Sequence, residues 1–549
     1  GPEARAATRR VPRLLADFEE SILMEDMKTC GMKVKRLREM LKFFYRTWTE
    51  LGDRSDGFLL DDDECAVHGF LKDHLVARGG MLLQELGNIA YTYLRDWPEA
   101  AEPLRFDHVL VDDFQNLNKA SQMAFGLVAR VSLMACGNEN EQVPTVEPYP
   151  YAAGFTGFCE AYPDAEQFVL AQSMRPGPHI TAAANALARQ DGMNVQMQAW
   201  AGEEGRCAYV TGALSADAGV ASAAAKAAAV DVGAAPSTVG TDAVKLVKWP
   251  LPNAEFLGVA AYVKHRLADA AHPIRPRDIF LAVPNAIWGR ALAKVLNAND
   301  IPTTEMIGYR ALKGDPRTFE KCADLRTYTA LNLVARPDDL VAWRCWCGFG
   351  DYLTNSNHWC RFEKHAIEQG KTLVQVFDEE LASLPPATDV QKEAAVLGDP
   401  EHPAAAEKPF LGAALIAERW REGRALIEEM SDARGFALMN RLYDACGQPS
   451  ADFKELLEPL CGTESAPELY ARMRARQELR FADRDAVRIG LVQMACGQSF
   501  DTVVVTGAVD GFCPSTSTFG LELDEERQTV IRAEERRQLY AAMVKASYE

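Results

Sequence analysis

The sequence predicts a multidomain α/β protein, and three observations lead to that prediction. Short apolar runs typical of parallel strands alternate with helical stretches between about residues 164 and 338. Strand-like runs are scarce in residues 14–104 and 340–480, where apolar residues recur at three- and four-residue spacing. The chain has 549 residues, against roughly 100–200 for one domain. We therefore expect three or four domains, with helical blocks interrupting an α/β framework.

The composition is that of an acidic globular protein. Hydrophobic residues make up 48% and charged residues 25% of the chain. The formal net charge is −19, so any contact with nucleic acid must be local. Thirteen cysteines without a signal peptide indicate reduced thiols, and no apolar run reaches the ~18–20 residues of a membrane span. We expect a cytoplasmic protein with no membrane partner.

The predicted elements begin with helices in residues 34–44 and 82–86. Residues 107–111 form a short apolar run that ends in paired acids, and residues 131–136 form a second run that ends in a glycine. Both runs are typical of buried parallel strands.

The middle of the chain has further strand and helix patterns. Residues 215–243 hold Ala, Gly, Ser and Val with almost no large side chains, which predicts a mobile insertion with some helical tendency. Strand-like runs lie at residues 167–170, 207–210, 245–248 and 278–283, and helical ones at 256–266 and 289–296.

Toward the end of the chain the patterns change again. Helices are predicted at residues 410–430 and 451–460. Strands follow at residues 487–492 and 502–506, and a helix at 524–543.

The sharpest motif is residues 109–118, with the sequence VLVDDFQNLN. Acids that follow a parallel strand can hold a Mg²⁺-nucleotide, although a turn or a helix cap uses the same residues. The string resembles motif II of the UvrD/Rep-type superfamily 1 DNA helicases, whose pattern is Val-Asp-Glu-Phe/Tyr-Gln-Asp. The resemblance implies that Asp112 holds Mg²⁺, that Asp113 stands for the glutamate that orients the attacking water, and that Gln115 faces the γ-phosphate.

Further matches follow in the order of the family. Residues 137–142, GNENEQ, resemble motif III (Gly-Asp-x-x-Gln) with Asn138 in place of the acid. Residues 168–176 resemble the stretch leading to motif IV, where Arg175 matches the arginine that reaches the γ-phosphate; the alternative is a surface arginine that caps a strand.

The resemblance continues through the rest of the chain. Residues 278–339 are similar to the second motor domain, 487–514 to motif V and 534–542 to motif VI. It implies a RecA-like P-loop NTPase helicase core, its first lobe incomplete, with helical 1B-like and 2B-like insertions. The implied domains are a 1B-like region (1–103), a partial lobe 1A (104–163), a lobe 2A (164–338 and 481–549) and a 2B-like insertion (339–480).

Several departures from the family indicate a weak or inactive motor. The phosphate loop Gly-x-x-x-x-Gly-Lys-Ser/Thr occurs nowhere in the chain. Motif V keeps only Gly497, and the finger arginine of motif VI is Lys545, which cannot form a bidentate fork. That arginine contributes ~10³–10⁵ in rate. Asp113 is one methylene shorter than glutamate, and a misplacement of a catalytic group by about 1 Å can lower the reaction rate ~10²-fold.

The candidate site residues follow from these matches. The implied catalytic set is Asp112, Asp113, Gln115, Arg175 and Lys545, and the implied nucleotide contacts are Arg175, Gly497 and Tyr540.

The best candidate for DNA contact by composition is the basic and aromatic segment of residues 33–48. Basic residues interleaved with aromatics can follow a phosphate backbone and stack bases. The alternative is an amphipathic helix with a solvated basic face and a buried aromatic face. The candidate residues are Lys33, Lys35, Arg36, Lys42 and Trp48, accompanied by Arg38, Phe43, Phe44, Tyr45 and Arg46.

One cysteine cluster resembles a metal site but lacks a fourth ligand. Cys345, Cys347 and Cys360 offer three thiols with poor spacing for zinc, so we predict buried thiols.

Two functions remain open from the sequence. In the first, the chain is a UvrD/Rep-like helicase family protein that handles ATP, Mg²⁺ and single-stranded or tailed duplex DNA in repair or recombination, with absent or impaired ATPase activity. The family activity implied by the resemblance is ATP-dependent 3′–5′ unwinding. In the second, the chain is a non-enzymatic helicase-like scaffold for protein contacts, such as the inactive half of a helicase–nuclease complex.

Overall fold

The computed structural model has a mixed α/β architecture and divides into two compact units. Unit 1 is Gly1–Ala90 with Arg310–Arg480, and unit 2 is Tyr91–Tyr309 with Phe481–Glu549. The N-terminal and middle helical blocks thus belong mainly to one unit. The structure describes residues 12–55, 58–59, 61–144, 149–190, 197–199, 237–240, 245–305, 312, 314–350, 352–380, 408–479, 485–509, 512 and 525–547.

Helices dominate unit 1 and flank the sheets of unit 2. Among the described helices, none is both long and apolar enough to cross a membrane. In chain order the helices are α1 Asp17–Met27, α2 Val34–Thr49, α3 Asp62–Arg78, α4 Leu86–Asp96, α5 Pro98–Ala101, α6 Lys119–Val128, α7 Gly154–Ala161, α8 Pro178–Arg189, α9 Pro252–Ala268, α10 Ala286–Ala298, α11 Ala323–Ala335, α12 Leu340–Gly348, α13 Tyr352–Gln369, α14 Leu373–Glu380, α15 Lys408–Met430, α16 Gly435–Cys446, α17 Ala451–Leu457, α18 Ala466–Leu479 and α19 Glu525–Met543.

The strands form small sheets, most of them parallel. Four strands make one parallel sheet in the order β10-β11-β9-β12, and the pairs β1-β2, β3-β4 and β5-β6 are also parallel. In chain order the strands are β1 Arg13–Leu14, β2 Gly80–Met81, β3 Phe106–Val111, β4 Ala129–Ala135, β5 Gln172–Ser173, β6 Gln198–Ala199, β7 Ser237–Gly240, β8 Lys245–Lys248, β9 Ile279–Val283, β10 Thr303–Glu305, β11 Val487–Leu491 and β12 Thr502–Val505.

The first core of unit 1 forms on the apolar face of α2. Leu37, Leu41, Phe44 and Trp48 recur at helical spacing and are buried against Leu71 of α3. Burial of this stripe fixes the helix, because one face can leave water while the other stays solvated.

The second helical block of unit 1 is anchored at the start of α12. The side chain of Asp339 caps this helix by accepting the backbone N–H of Ala342 at 2.8 Å. The same carboxylate accepts Nε of Arg13 at 2.6 Å, so the N-terminal segment is tied to the middle of the chain. Beyond the cap, the rings of Trp343 and Trp420 pack with their centroids 4.1 Å apart.

The four-stranded sheet forms the core of unit 2. Every residue of β9 is buried, as expected for a central parallel strand covered on both faces. Residues of α9 and α10, including Val263 and Leu292, pack with Ile279 and Leu281, whereas Phe280 packs against Phe500. The strands predicted near residues 278–283, 487–492 and 502–506 are confirmed, as are the helices predicted at 256–266 and 289–296.

The strands β3 and β4 are parallel as predicted, but the prediction that they are buried is wrong. Phe106 is 63% exposed, Leu110 72%, Val131 71% and Met134 55%. Among the strands that the structure describes, these two pair with each other alone, and α6 packs against them. Parallel sheets are normally covered on both faces, and here much of the apolar surface of the pair stays in contact with solvent.

Other strand predictions also need correction. Residues 167–170 lie outside any strand, and Phe168, Val169 and Leu170 are 81%, 74% and 94% exposed. The strand β8 exists but pairs antiparallel with β7, so it does not extend a parallel sheet.

The remaining differences concern small elements. The strand β7 lies within the segment 215–243 that the sequence predicted to be mobile and partly helical. The pair β1-β2 lies in a block where no strand was predicted. The predicted strand at 207–210 and most of that insertion lie outside the described residues.

Candidate functional site

The site begins at the carboxyl end of β3, where two aspartates follow the strand. Asp112 is exposed, and its Oδ1 accepts the backbone N–H of Asp113 at 2.9 Å. Asp113 has a left-handed backbone with φ 50°, a conformation that aspartate tolerates better than most residues. The turn therefore leaves one carboxylate facing solvent, and an exposed carboxylate there is chemically suited to a Mg²⁺ ion.

Gln115 connects this turn to the loop that follows β4. Its side chain is buried, and Oε1 accepts the backbone N–H of Asn138 at 3.1 Å, while Nε2 donates to Oδ1 of Asp113 at 3.3 Å. A Cβ at position 137 would lie 1.9 Å from Oε1 of Gln115, so a larger residue there would displace this side chain. The motif II-like and motif III-like segments are thus joined by one glutamine.

The end of the chain contributes the next two side chains. Tyr540, near the end of α19, is fully buried, and α19 packs against the loop of residues 139–141. Lys545 is 6% exposed, and its ammonium forms an ion pair with Glu141. The backbone N–H of Phe500 donates to the carbonyl of Lys545 at 3.0 Å, which fixes this segment against the sheet.

The motif V-like turn faces the same place. Gly497 has φ +72°, and a Cβ added there would lie 3.9 Å from Oδ2 of Asp113. Burial raises the pKa of the neighbouring Cys496 thiol to about 11, so it is protonated at neutral pH.

Arg175 is half-buried beside this cluster. Its Nη1 donates to the carbonyl of Val544 at 3.4 Å, next in sequence to Lys545. Among the described residues it takes part in none of the ion pairs. Arg175 therefore contacts the segment that carries Lys545.

The structure thus brings most of the predicted site residues together within unit 2. Gln115, Lys545 and the helix of Tyr540 contact the loop of residues 138–141. Asp113 contacts Gln115 and lies near Gly497, Arg175 contacts the carbonyl of Val544, and Asp112 lies at the exposed end of the turn. Sequence reasoning gave no role to Glu141 or Cys496. The only signal for Glu141 was its place in the GNENEQ string, where the match to motif III is displaced by one residue.

The predicted DNA-contact segment is the helix α2 with the residue before it. Lys33, Lys35, Arg36 and Lys42 are exposed, and Arg36 pairs with Asp61 at 3.2 Å. Trp48 does not fit the predicted stacking role, because it is 2% exposed and its ring packs against Phe44 and His68. This arrangement is the amphipathic alternative, with a solvated basic face and a buried aromatic face.

One group in the described part of unit 1 has the composition of a metal site. Ligand atoms of His74, Cys360 and Glu363 lie within 4.8 Å of one another. However, Glu363 already accepts Nε of Arg78 at 2.6 Å and Nη2 at 3.0 Å, and it also contacts His74 and the indole N–H of Trp359. A bound cation would have to compete with a guanidinium for the same oxygens, so the group is better described as a buried ion-pair network.

The three thiols considered for zinc are also poor ligands in this structure. Cys345 and Cys347 are buried, and burial raises the pKa of Cys345 well above its usual value and that of Cys347 to about 12. Burial likewise raises the pKa of Cys360 to about 12. Among the described residues the three thiols do not form one group of ligand atoms, since Cys360 lies with His74 and Glu363 and not with Cys345 and Cys347.

No protein-family model matches the sequence, and a comparison with curated proteins finds no significant match.

Proposed function

We propose that this chain is a UvrD/Rep-like DNA helicase family protein with a RecA-like core. It handles ATP and single-stranded or tailed duplex DNA in repair or recombination, and its ATPase activity is impaired or absent.

One observation carries the proposal: segments far apart in the sequence, arranged in the order of the family's motifs, meet at one place. The turn at Asp113 contacts the loop at Asn138 through Gln115, and that loop contacts α19 and Lys545 near the other end of the chain. A chance resemblance in isolated strings gives no reason for these segments to be neighbours.

The same geometry supports the weakness of the motor. Lys545 stands where the family has its finger arginine, and its charge is already neutralised by Glu141. Gln115, implied to face the γ-phosphate, has its side chain buried in contacts with two loops. Neither group is poised to stabilise a transferring phosphoryl group without first leaving its partner.

The test is DNA-stimulated ATP hydrolysis in Mg²⁺, measured together with single-strand binding at several salt concentrations. We expect slow or undetectable hydrolysis and DNA binding that weakens as salt rises. Asp112→Asn should abolish any hydrolysis, whereas the control Asp164→Asn, at another exposed aspartate of the same unit, should leave it unchanged. Salt-independent binding, or hydrolysis that survives Asp112→Asn, would contradict the proposal.

A second candidate, a non-enzymatic scaffold for protein contacts, is favoured by the apolar surface of unit 2. Phe106, Leu110 and Met134 on β3 and β4, and the run at 168–170, expose large apolar side chains. Patches of this kind mark protein contact surfaces in folded proteins. The scaffold predicts neither ATP hydrolysis nor salt-sensitive DNA binding in the same assays.

A further inference from the structure

The ion pair between Glu141 and Lys545 uses the whole carboxylate of Glu141. Its Oε1 accepts the side-chain amide of Asn138 at 3.1 Å, and its Oε2 faces the ammonium of Lys545. The side chains of Glu141 and Lys545 are 17% and 7% exposed. The pair is therefore largely shielded from water. In such a shielded place the attraction between opposite charges is stronger than at the surface.

The pair connects two elements on opposite sides of the candidate site. Glu141 belongs to the loop after β4, and Lys545 follows α19. The partners are 404 positions apart in the chain. The loop of Glu141 is held where the backbone N–H of Asn138 donates to the side chain of Gln115, and Lys545 is held where its carbonyl accepts the backbone N–H of Phe500. The contact thus joins two separately anchored segments.

Asn138 makes this arrangement possible. Its side-chain N–H₂ donates to Glu141, and its Oδ1 accepts the backbone N–H of Asn140 at 3.1 Å. An aspartate at 138 would have no donor and would place a second negative charge against Glu141. The amide at 138 and the acid at 141 are therefore chemically matched.

The positive charges around this pair suit an anion. Removal of the Glu141 charge would leave the largely buried ammonium of Lys545 without this carboxylate. Arg175 contacts the same segment, at the carbonyl of Val544. Lysine and arginine together are a common phosphate-binding combination.

We propose that Glu141 is an internal lock on this site: its carboxylate occupies Lys545 in place of a phosphate group, so a phosphate-bearing ligand binds only after Glu141 is released. The nature of the ligand rests on the proposed function, whereas the lock itself rests on the contacts of Glu141. The lock makes the unligated chain autoinhibited for anion binding.

The test uses Glu141→Gln in the full chain, with inorganic pyrophosphate as the probe. Glutamine keeps the shape and removes the charge, so pyrophosphate should bind roughly tenfold more tightly than to the parent chain by calorimetry. Backbone hydrogen exchange in residues 137–142 and 540–547 should become faster in the variant and slow again when pyrophosphate is added. The control Glu160→Gln, at an exposed acid of the same unit, should behave as the parent.

A second variant keeps the inference testable if Glu141→Gln folds poorly. Asn138→Ala removes the amide that donates to Oε1 of Glu141 and adds no charge, so it should loosen Glu141 and also tighten pyrophosphate binding. Unchanged pyrophosphate affinity in a folded variant overturns the lock, whether or not the parent hydrolyses ATP. Tighter pyrophosphate binding with no binding of ATP or DNA supports the lock and refutes the proposed helicase function.

Discussion

Replacing Asp26 with alanine should destabilise unit 1 by about 3–5 kcal/mol, the cost of breaking a buried ion pair. Asp26 is fully buried, and its carboxylate accepts Nη2 of Arg344 at 2.6 Å and Nη1 of Arg78 at 2.8 Å. Although burial alone would raise the pKa of Asp26, the guanidinium groups of Arg344 and Arg78 hold it below its usual value. The carboxylate is therefore ionised in the folded protein and neutralises two buried cations.

The magnitude follows from what the change leaves behind. Arg78 still has Glu363, whereas Arg344, whose side chain is 1% exposed, would lose the bonds at 2.9 Å and 2.6 Å that it donates to Asp26. A buried guanidinium that loses its counter-charge retains the cost of leaving water. Removing both partners, in Asp26→Ala with Arg344→Met, should restore about 1 kcal/mol or more relative to Asp26→Ala alone.

The measurement is urea unfolding followed by hydrogen exchange in α1 and α12, which localises the loss to the elements that carry the pair. As a matched control, Asp73→Ala at an exposed position of α3 should change the unfolding free energy by less than about 0.5 kcal/mol. A cost below about 1 kcal/mol for Asp26→Ala, or strictly additive costs in the double variant, would refute the reasoning.

Three further predictions concern other parts of the chain. Burial, with two acidic neighbours, raises the pKa of Glu20 to about 7. The folded chain therefore binds this proton more tightly than the unfolded chain, and it loses stability as pH rises from about 4.5 to about 7. In pH-dependent urea unfolding, Glu20→Gln should raise the unfolding free energy by as much as about 3 kcal/mol near pH 8 and change it little near pH 4. Gly137→Ala should displace Gln115, lower the free energy of unfolding by roughly 1–3 kcal/mol and speed hydrogen exchange in the loop after β4. Hydrogen exchange like that of the parent would count against the contact between Gln115 and this loop. In thermal unfolding, Leu110→Ala should lower the unfolding free energy by less than about 0.5 kcal/mol because its side chain is exposed. Leu281→Ala in the buried strand β9 should lower it by about 2–5 kcal/mol, and equal losses would contradict this difference in burial.

The elements whose burial is periodic or continuous could be predicted from the order of residues along the chain. The run at Ile279–Val283 predicted a central strand because such a strand buries both faces, and the spacing of Leu37, Leu41 and Phe44 predicted one buried face of α2. The acids at Asp112 and Asp113 were likewise visible as the end of a strand. These features depend on neighbours along the chain, which a sequence displays directly.

Which of those elements find packing partners depends on the folded arrangement of the chain. The apolar residues of β3 and β4 have the pattern of a buried strand, yet Leu110 is exposed because burial depends on what else packs on the sheet. Glu141 meets Lys545 across 404 positions, and Arg344 meets Asp26 across 318. A charged side chain carries no local mark of its partner, so the pairs that close the site and anchor the helices appear only when the chain is folded.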